Sequence, residues 1–384
     1  MTLFSKVPLS LYIHFPWCVK KCPYCDFNSH TLKNDLPEEE YIHLLLQNFE
    51  QNLPYVQDRE LISIFMGGGT PSLFSANAIE RLLDGIRNRI SLTQDCEITL
   101  EANPGTVEQK RFKAYRAIGI NRLSVGIQSF NPEHLQALGR IHNGQEAIQA
   151  VQTVVDAGFT NFNLDIMFGL PQQSMDQGLA DLTQAIALDP THISWYELTL
   201  EPNTAFWHNP PPLPKDEVIG SLQEQGQALL DRSGFKQYEV SAYSRDNPSR
   251  HNLNYWEFGD YLAIGAGSHG KITHDQKQVI RYHHFRHPKQ YMDLDLGFIQ
   301  ETKVIAKDQL AFEFCLNTLR LINGVPSTMF FERTGLDLHS IRSTLEVAQQ
   351  KGLLQDPSQR LVATKLGYRF LNDLTTLFLP ETNL

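Results

Sequence analysis

The chain has 384 residues, 41% hydrophobic and 20% charged, with 33 Lys and Arg against 43 Asp and Glu for a formal net charge of −10. That length suffices for one large domain with a substantial core plus a smaller one, and the acidic total argues against a surface built to coat nucleic acid. Met1 to Ser10 holds one lysine and no long apolar core, so no secretory signal is expected, and no window is apolar for long enough to span a bilayer.

Taken in order, Leu9 to Phe15 reads as a short strand that delivers a cysteine-rich loop, and Glu38 to Leu53 carries Tyr41, Leu44, Leu45 and Phe49 at helical spacing behind an acidic first turn. Strand Leu61 to Met66, the turn Gly67-Gly68-Gly69-Thr70-Pro71 and a helix from Ser75 to Ile90 follow. Strand Glu97 to Glu101, a helix from Thr106 to Ile118 and strand Arg122 to Ile127 repeat the unit. Helices over Pro132 to Leu138 and Gln145 to Ala157 lead to strand Asn163 to Met167, and helix Met175 to Leu188 leads to strand His192 to Leu198. Six successive strand–helix units predict an α/β fold, a partial (β/α)6 barrel on a parallel sheet.

Asn203 to Pro214, with four prolines in its last five residues, breaks that rhythm. A helix is expected over Glu217 to Asp231 and a strand over Gln237 to Ala242. Ser244 to His287 is rich in Gly, His, Asn and aromatic residues and poor in helix signal. From Lys307 the pattern is helical again, and Gly352 to Leu354 with Leu361 to Ala363 reads as a small hairpin before a last helix. The expected organisation is a barrel over 1–240, a linking region over 241–300 and a winged-helix-like α+β domain over 301–384. That last domain reads as a packing module rather than a DNA-binding one, given the acidic total.

Three of the five cysteines, Cys18, Cys22 and Cys25, fall at the spacing C-x3-C-x2-C. Three thiolates on one short loop can each bind one iron of a [4Fe-4S] cubane and leave the fourth iron open. A zinc site would need a fourth ligand, with His14 or His30 available. A disulfide with one spare thiol and three unrelated core cysteines are the other readings. Cys96 and Cys315 stand alone and read as buried small hydrophobes, so the cysteine usage fits a reducing cytoplasm.

Reactive groups of barrel folds sit at the C-terminal ends of the strands. There the sequence places the three-glycine turn, Glu101-Ala102-Asn103-Pro104, Gly126 to Ser129 with Arg140 after it, and Asn163-Leu164-Asp165 through Pro171. Glycines let a backbone approach a ligand closely, and the missing Gly-Lys-Ser/Thr ending excludes a P-loop. Each polar residue alone is more often a satisfied structural group. Their order behind the cysteine loop is what makes them a candidate site.

With Tyr24 before the last cysteine, Tyr12-Ile13-His14 upstream and Cys25-Asp26-Phe27-Asn28 downstream, the chain resembles the oxygen-independent coproporphyrinogen III oxidase family of radical S-adenosylmethionine (SAM) proteins. Within it the chain most resembles the haem-chaperone branch. The resemblance implies a [4Fe-4S] cluster on Cys18, Cys22 and Cys25, and a first SAM held near Tyr12, Gly68 and Glu101. Tyr24, Gly69, Thr70, Gln128, Arg140 and Asp165 match positions that contact a second SAM in the oxidase branch. His251-Asn252-Leu253-Asn254-Tyr255 matches H-N-x-x-Y, which the chaperone branch is associated with in binding haem. Imidazole and phenolate both suit iron, and on a helix they would share a face.

Two departures from the oxidase pattern disfavour porphyrinogen decarboxylation. Phe27 stands where the oxidase has a further cysteine, and eleven residues precede Tyr12 where the oxidase has a longer extension. The resemblance therefore implies haem and acceptor haemoproteins as partners, with coproporphyrinogen III dehydrogenation as the alternative activity. The sequence leaves a homodimer open. His283, His284 and His287, beside Arg281 and Arg286, form a second candidate for metal or propionate contacts, and His269 lies in a turn placed to line the pocket.

Overall fold

A computed structural model of the chain describes residues 7–105, 110–274 and 278–380. Met1 to Lys6 and the start of the helix expected from Thr106 lie outside the described residues.

The six expected strands form and pair in parallel: β1 (Leu9–Phe15), β2 (Leu61–Gly68), β3 (Leu92–Ala102), β4 (Arg122–Gln128), β5 (Phe162–Phe168) and β6 (His192–Glu197). In β1, Leu9, Leu11, Ile13 and Phe15 are fully buried. Phe15 meets Tyr41 and Phe74 edge-on, so this face carries the core between sheet and helices. Ser10, Tyr12 and His14 alternate with these residues and point to the opposite, concave side.

Several of the helices between the strands begin where the sequence supplies caps. Ser75 caps the helix Ala76–Arg87, while Asn143 with Glu146 and Ser174 with Gln177 make capping boxes for Gly144–Asp156 and Met175–Ala187.

The sheet continues beyond the barrel on both sides. Strands β7 (Lys236–Glu239) and β8 (Ala242–Ser244) add antiparallel next to β6, while β9 (Asp260–Ile264) pairs in parallel with β1. Strands β10 (His269–His274), β11 (Gln278–His284) and β12 (Ile299–Val304) then extend that edge. The full order is β12-β11-β10-β9-β1-β2-β3-β4-β5-β6-β8-β7. The single strand expected over Gln237 to Ala242 is thus two short strands. Glu239 accepts from the Ser241 N–H and hydroxyl, both at 3.1 Å, and this local bonding reverses the chain.

Nor is Ser244 to His287 free of helix. It contains α1 (Arg250–Trp256), capped by Ser249, and this segment bears the H-N-x-x-Y residues. Near the C-terminus Leu354 bridges to Ala363, and a third segment, Val325–Pro326, pairs with Arg360–Leu361. The C-terminal helices pack Phe314, Phe330, Leu345 and Leu374 around a second core that also takes in Phe258 and Val279 from the sheet side.

Candidate functional site

The cysteine loop leaves the end of β1 and is tied back at two levels. Trp17–Cys18 pairs with His30–Thr31, and the Leu32 N–H donates to the Cys18 carbonyl at 2.9 Å. The glycine turn after β2 is shaped by this loop. Gly69 donates its N–H to the Phe15 carbonyl at 2.7 Å, and a Cβ on Gly69 would lie 2.6 Å from the Trp17 carbonyl oxygen. Gly68 has φ +111°, and a Cβ there would strike the His14 ring at 2.3 Å. These glycines bring backbone against the cysteine loop.

Cys18, Cys22 and Cys25 all line one cavity of about 430 Å³ at the C-terminal ends of the strands. Tyr24, Gly68, Gly69, Thr70, Glu101, Gln128, Arg140 and Asp165 line the same cavity. Tyr12 is set back from it. Its hydroxyl meets His14 Nδ1 at 2.9 Å, and its ring packs against Phe65 and His251. Its phenol still feels Glu101, which adds to burial in pushing it well up from its ordinary range.

Each cysteine sulfur has a polar neighbour. The Thr70 hydroxyl donates to Cys18 Sγ at 3.5 Å, the Arg140 guanidinium to Cys22 Sγ at 3.7 Å, and Ser29 Oγ lies 3.7 Å from Cys25 Sγ. Burial pushes the Cys18 and Cys25 thiols up, opposed by the Thr70 and Ser29 hydrogen bonds. Among the described residues no three His, Cys, Asp or Glu side chains converge on one metal-ion position. His14 is no zinc ligand in this arrangement, since its ring nitrogens meet Tyr12 and the Asn28 carbonyl. A cubane asks for a different pattern, one thiolate per iron from a loop around a cavity, and the loop fits that pattern. The five cysteines are free thiols.

Across the cavity the lining is acidic. Burial, and then the nearby Asp165, raise the Glu101 carboxyl to about 8, although the Gly68 N–H donates to it at 3.1 Å. Burial likewise raises Asp165, against hydrogen bonds from Asn163 at 2.8 Å and Ser124 at 3.2 Å. Burial thus disfavours the charged form of both carboxyls, and a cation arriving beside them would favour it. Gln128 sits at φ +70° where the β4–β5 register shifts, and its Oε1 accepts from the Tyr196 hydroxyl at 2.7 Å.

Tyr196 is a lining residue that sequence reasoning passes over, and Asn103, which stands in the Glu101-Ala102-Asn103-Pro104 motif, is given no role of its own there. Asn103 lies two residues past Glu101 on the same side of the strand end, so the period of two was a usable signal. Tyr196 ends β6, which bore no motif.

The structure does not bring the H-N-x-x-Y pair to this cavity. His251 is 1% exposed, its Nδ1 meets Ser63 Oγ at 2.9 Å, and its Nε2 meets the Tyr255 hydroxyl at 2.8 Å. Burial, then Arg122, lower the imidazole to about 3, so it is neutral. Helix α1 crosses the row Ser10–Ser63–Glu97, taking a hydrogen bond from the His251 N–H to Glu97 at 3.2 Å. Four residues along β3 separate Glu97 from Glu101, about 13 Å, so the helix closes the opposite end of the barrel.

The later histidines are also engaged elsewhere. His284 is buried between Asn48 and Ser268, His283 bonds Glu301 at 3.0 Å, and His287 caps Pro288–Tyr291. Arg281 bonds Glu313. His269 stacks on His283 at 5.2 Å and is not among the residues lining the cavity.

Residues 12–183 match the Radical SAM superfamily and residues 305–370 match the HemN C-terminal domain. The chain is 50% identical over 379 residues to Heme chaperone HemW of Haemophilus influenzae, covering 97% of this chain and 98% of that protein. It is 48% identical over 375 residues to Heme chaperone HemW of Escherichia coli, covering 97% and 99%, and 32% identical over 383 residues to that of Bacillus subtilis, covering 97% and 99%. The solved structure of coproporphyrinogen III oxidase (HemN) from Escherichia coli superposes with a TM-score of 0.83 over 100% of this chain and 92% of that one, at 21% identity, a likeness of fold. With sequence identity running nearly end to end, the chain belongs to the HemW family of radical SAM proteins.

Proposed function

We propose that this protein is a cytoplasmic haem chaperone, which binds haem and passes it to acceptor haemoproteins. The observation that carries this reading is the near-full-length identity to proteins named heme chaperone. In it, Cys18, Cys22 and Cys25 hold a [4Fe-4S] cluster and the cavity holds SAM. When bound, the pair supplies an open iron that SAM can chelate and a route to one-electron chemistry.

The chain's own residues position and shield. Lys20 and Arg140 stand on the cysteine side and suit a carboxylate, while Glu101 and Asp165 stand opposite and suit an amine or sulfonium charge. Arrival of that charge favours the ionised form of Glu101, so binding and deprotonation are coupled. Tyr24, Gly68, Gly69, Thr70 and Gln128 complete the proposed SAM contacts, and Tyr12 backs them from behind through His14 and Glu101.

For haem, His251 and Tyr255 are the proposed ligands. Their mutual hydrogen bond and the Ser63 contact must break first, so loading displaces helix α1 from the barrel end.

The test is the absorption spectrum of the anaerobically reconstituted full chain, with and without added haemin, together with an assay of the anaerobically dithionite-reduced protein on coproporphyrinogen III and SAM. A Soret band retained through gel filtration, and no protoporphyrinogen, is expected. Formation of protoporphyrinogen would overturn the chaperone reading in favour of the dehydrogenase. His251→Ala weakens the band if the ligand assignment holds; an unchanged band in folded variant protein places haem elsewhere.

A further inference from the structure

The sulfurs of Cys18 and Cys22 are joined by a chain of hydrogen bonds whose centre is Asn103. Its Oδ1 accepts from Arg140 Nη2 at 2.7 Å, and its Nδ2 donates to Thr70 Oγ1 at 3.0 Å. Arg140 also donates to the Gly126 carbonyl at 2.7 Å, which leaves Nη1 aimed at Cys22 Sγ, 3.7 Å away. Because its oxygen takes the Asn103 N–H, Thr70 turns its own hydrogen toward Cys18 Sγ, 3.5 Å away. Thr70 is 3% exposed, so water competes little for that bond.

We infer that Asn103 is a positioning residue that aims Thr70 and Arg140 at the cysteine sulfurs and thereby raises the reduction potential of the cluster they hold. The Asn103 amide accepts from Arg140 through its oxygen and donates to Thr70 through its nitrogen, and the relay needs both. Hydrogen bonds to cluster sulfurs, and a nearby cation, favour the more negative reduced state, and they are among the factors that set cluster potentials. The inference rests on the reading that Cys18, Cys22 and Cys25 hold a [4Fe-4S] cluster.

The experiment is an EPR-monitored redox titration of the reconstituted full chain, without SAM, on wild type, Asn103→Leu, Thr70→Val, Thr70→Ser and the double variant Asn103→Leu/Thr70→Val, with iron and sulfide counted in each. Asn103→Leu keeps the volume and removes both bonds. It is expected to lower the potential by at least about 40 mV, roughly a fivefold change in a one-electron equilibrium. Thr70→Val moves it in the same direction, and Thr70→Ser restores it. The Thr70→Val effect shrinks in the Asn103→Leu background, as expected of residues acting in series.

A four-iron cluster with unchanged potential in Asn103→Leu overturns this inference and leaves the cluster reading standing. Wild type that takes up no four-iron cluster overturns both. If Asn103→Leu fails to load, the Thr70 pair decides: equal potentials for Val and Ser overturn the relay.

Discussion

Glu101 is a cavity residue whose charge state depends on what occupies the cavity. Burial and Asp165 raise its carboxyl to about 8, against an ordinary value near 4.5. A carboxyl raised in the folded state contributes stability that is fully present below the unfolded value and is lost as pH climbs through the folded one. Glu101→Gln removes the titration. In protein without cofactors the variant is therefore expected to match wild type near pH 4 and to gain on it between about 4.5 and 8, by roughly 1–2 kcal/mol after allowance for the open cavity. Urea unfolding across that range checks it, and a variant that gains nothing at pH 8 refutes the raised carboxyl. Glu101 was legible because it ends a strand in a repeating pattern. Asn103 was legible as part of the same strand-end motif but its role was not, because that role lies in two contacts, to Arg140 and Thr70, that are 37 and 33 residues away in sequence.

Helix α1 shows what pattern reading misses at the level of an element. It is seven residues long, too short for a periodic apolar stripe, and it lies among Gly, His and Asn residues that favour turns. Its stability is tertiary. The Ser249 hydroxyl caps the Asn252 N–H and reaches Glu97, and Asn254 donates to Ser10 Oγ at 2.9 Å and to the Asp260 carbonyl at 2.8 Å. Ser249→Ala is expected to cost about 1–2 kcal/mol, read in urea unfolding. If loading haem requires this helix to leave, the same variant loads haem faster in stopped-flow absorbance. Slower or equal loading by folded variant counts against displacement of the helix. The six barrel strands were readable for the opposite reason, since strand, turn and helix recur with clear apolar spacing. The short antiparallel strands β7 and β8 carry no such run, and β10 and β11 mix charged and imidazole side chains among their apolar ones.

At the scale of the molecule, the barrel and the C-terminal domain meet around Asp260, which is fully buried. Its carboxylate takes Arg59 Nη1 at 2.7 Å, Lys271 Nζ at 3.2 Å, and the N–H and hydroxyl of Thr273 at 2.9 and 2.8 Å. Its N–H donates to the Pro8 carbonyl at 3.0 Å, at the start of β1, while Lys271 lies 4.1 Å over the ring of Phe258 in the second core. One carboxylate thus neutralises two buried cations from segments far apart in sequence. Burial alone would push it up, but Lys271 and then Arg59 outweigh burial and hold it below its ordinary value. Asp260→Asn keeps the shape and strands both cations, so it is expected to cost about 3–5 kcal/mol at neutral pH. The sign with pH is fixed by the direction of the shift. A depressed carboxyl contributes stability above its unfolded pKa and loses it as pH falls through the folded one. The wild-type advantage over Asp260→Asn should therefore hold from neutral pH down to about 4 and close below it. Paired urea titrations at pH 7, 5 and 3 measure this, and an advantage that persists undiminished at the lowest pH would show that packing, not charge, makes Asp260 the join.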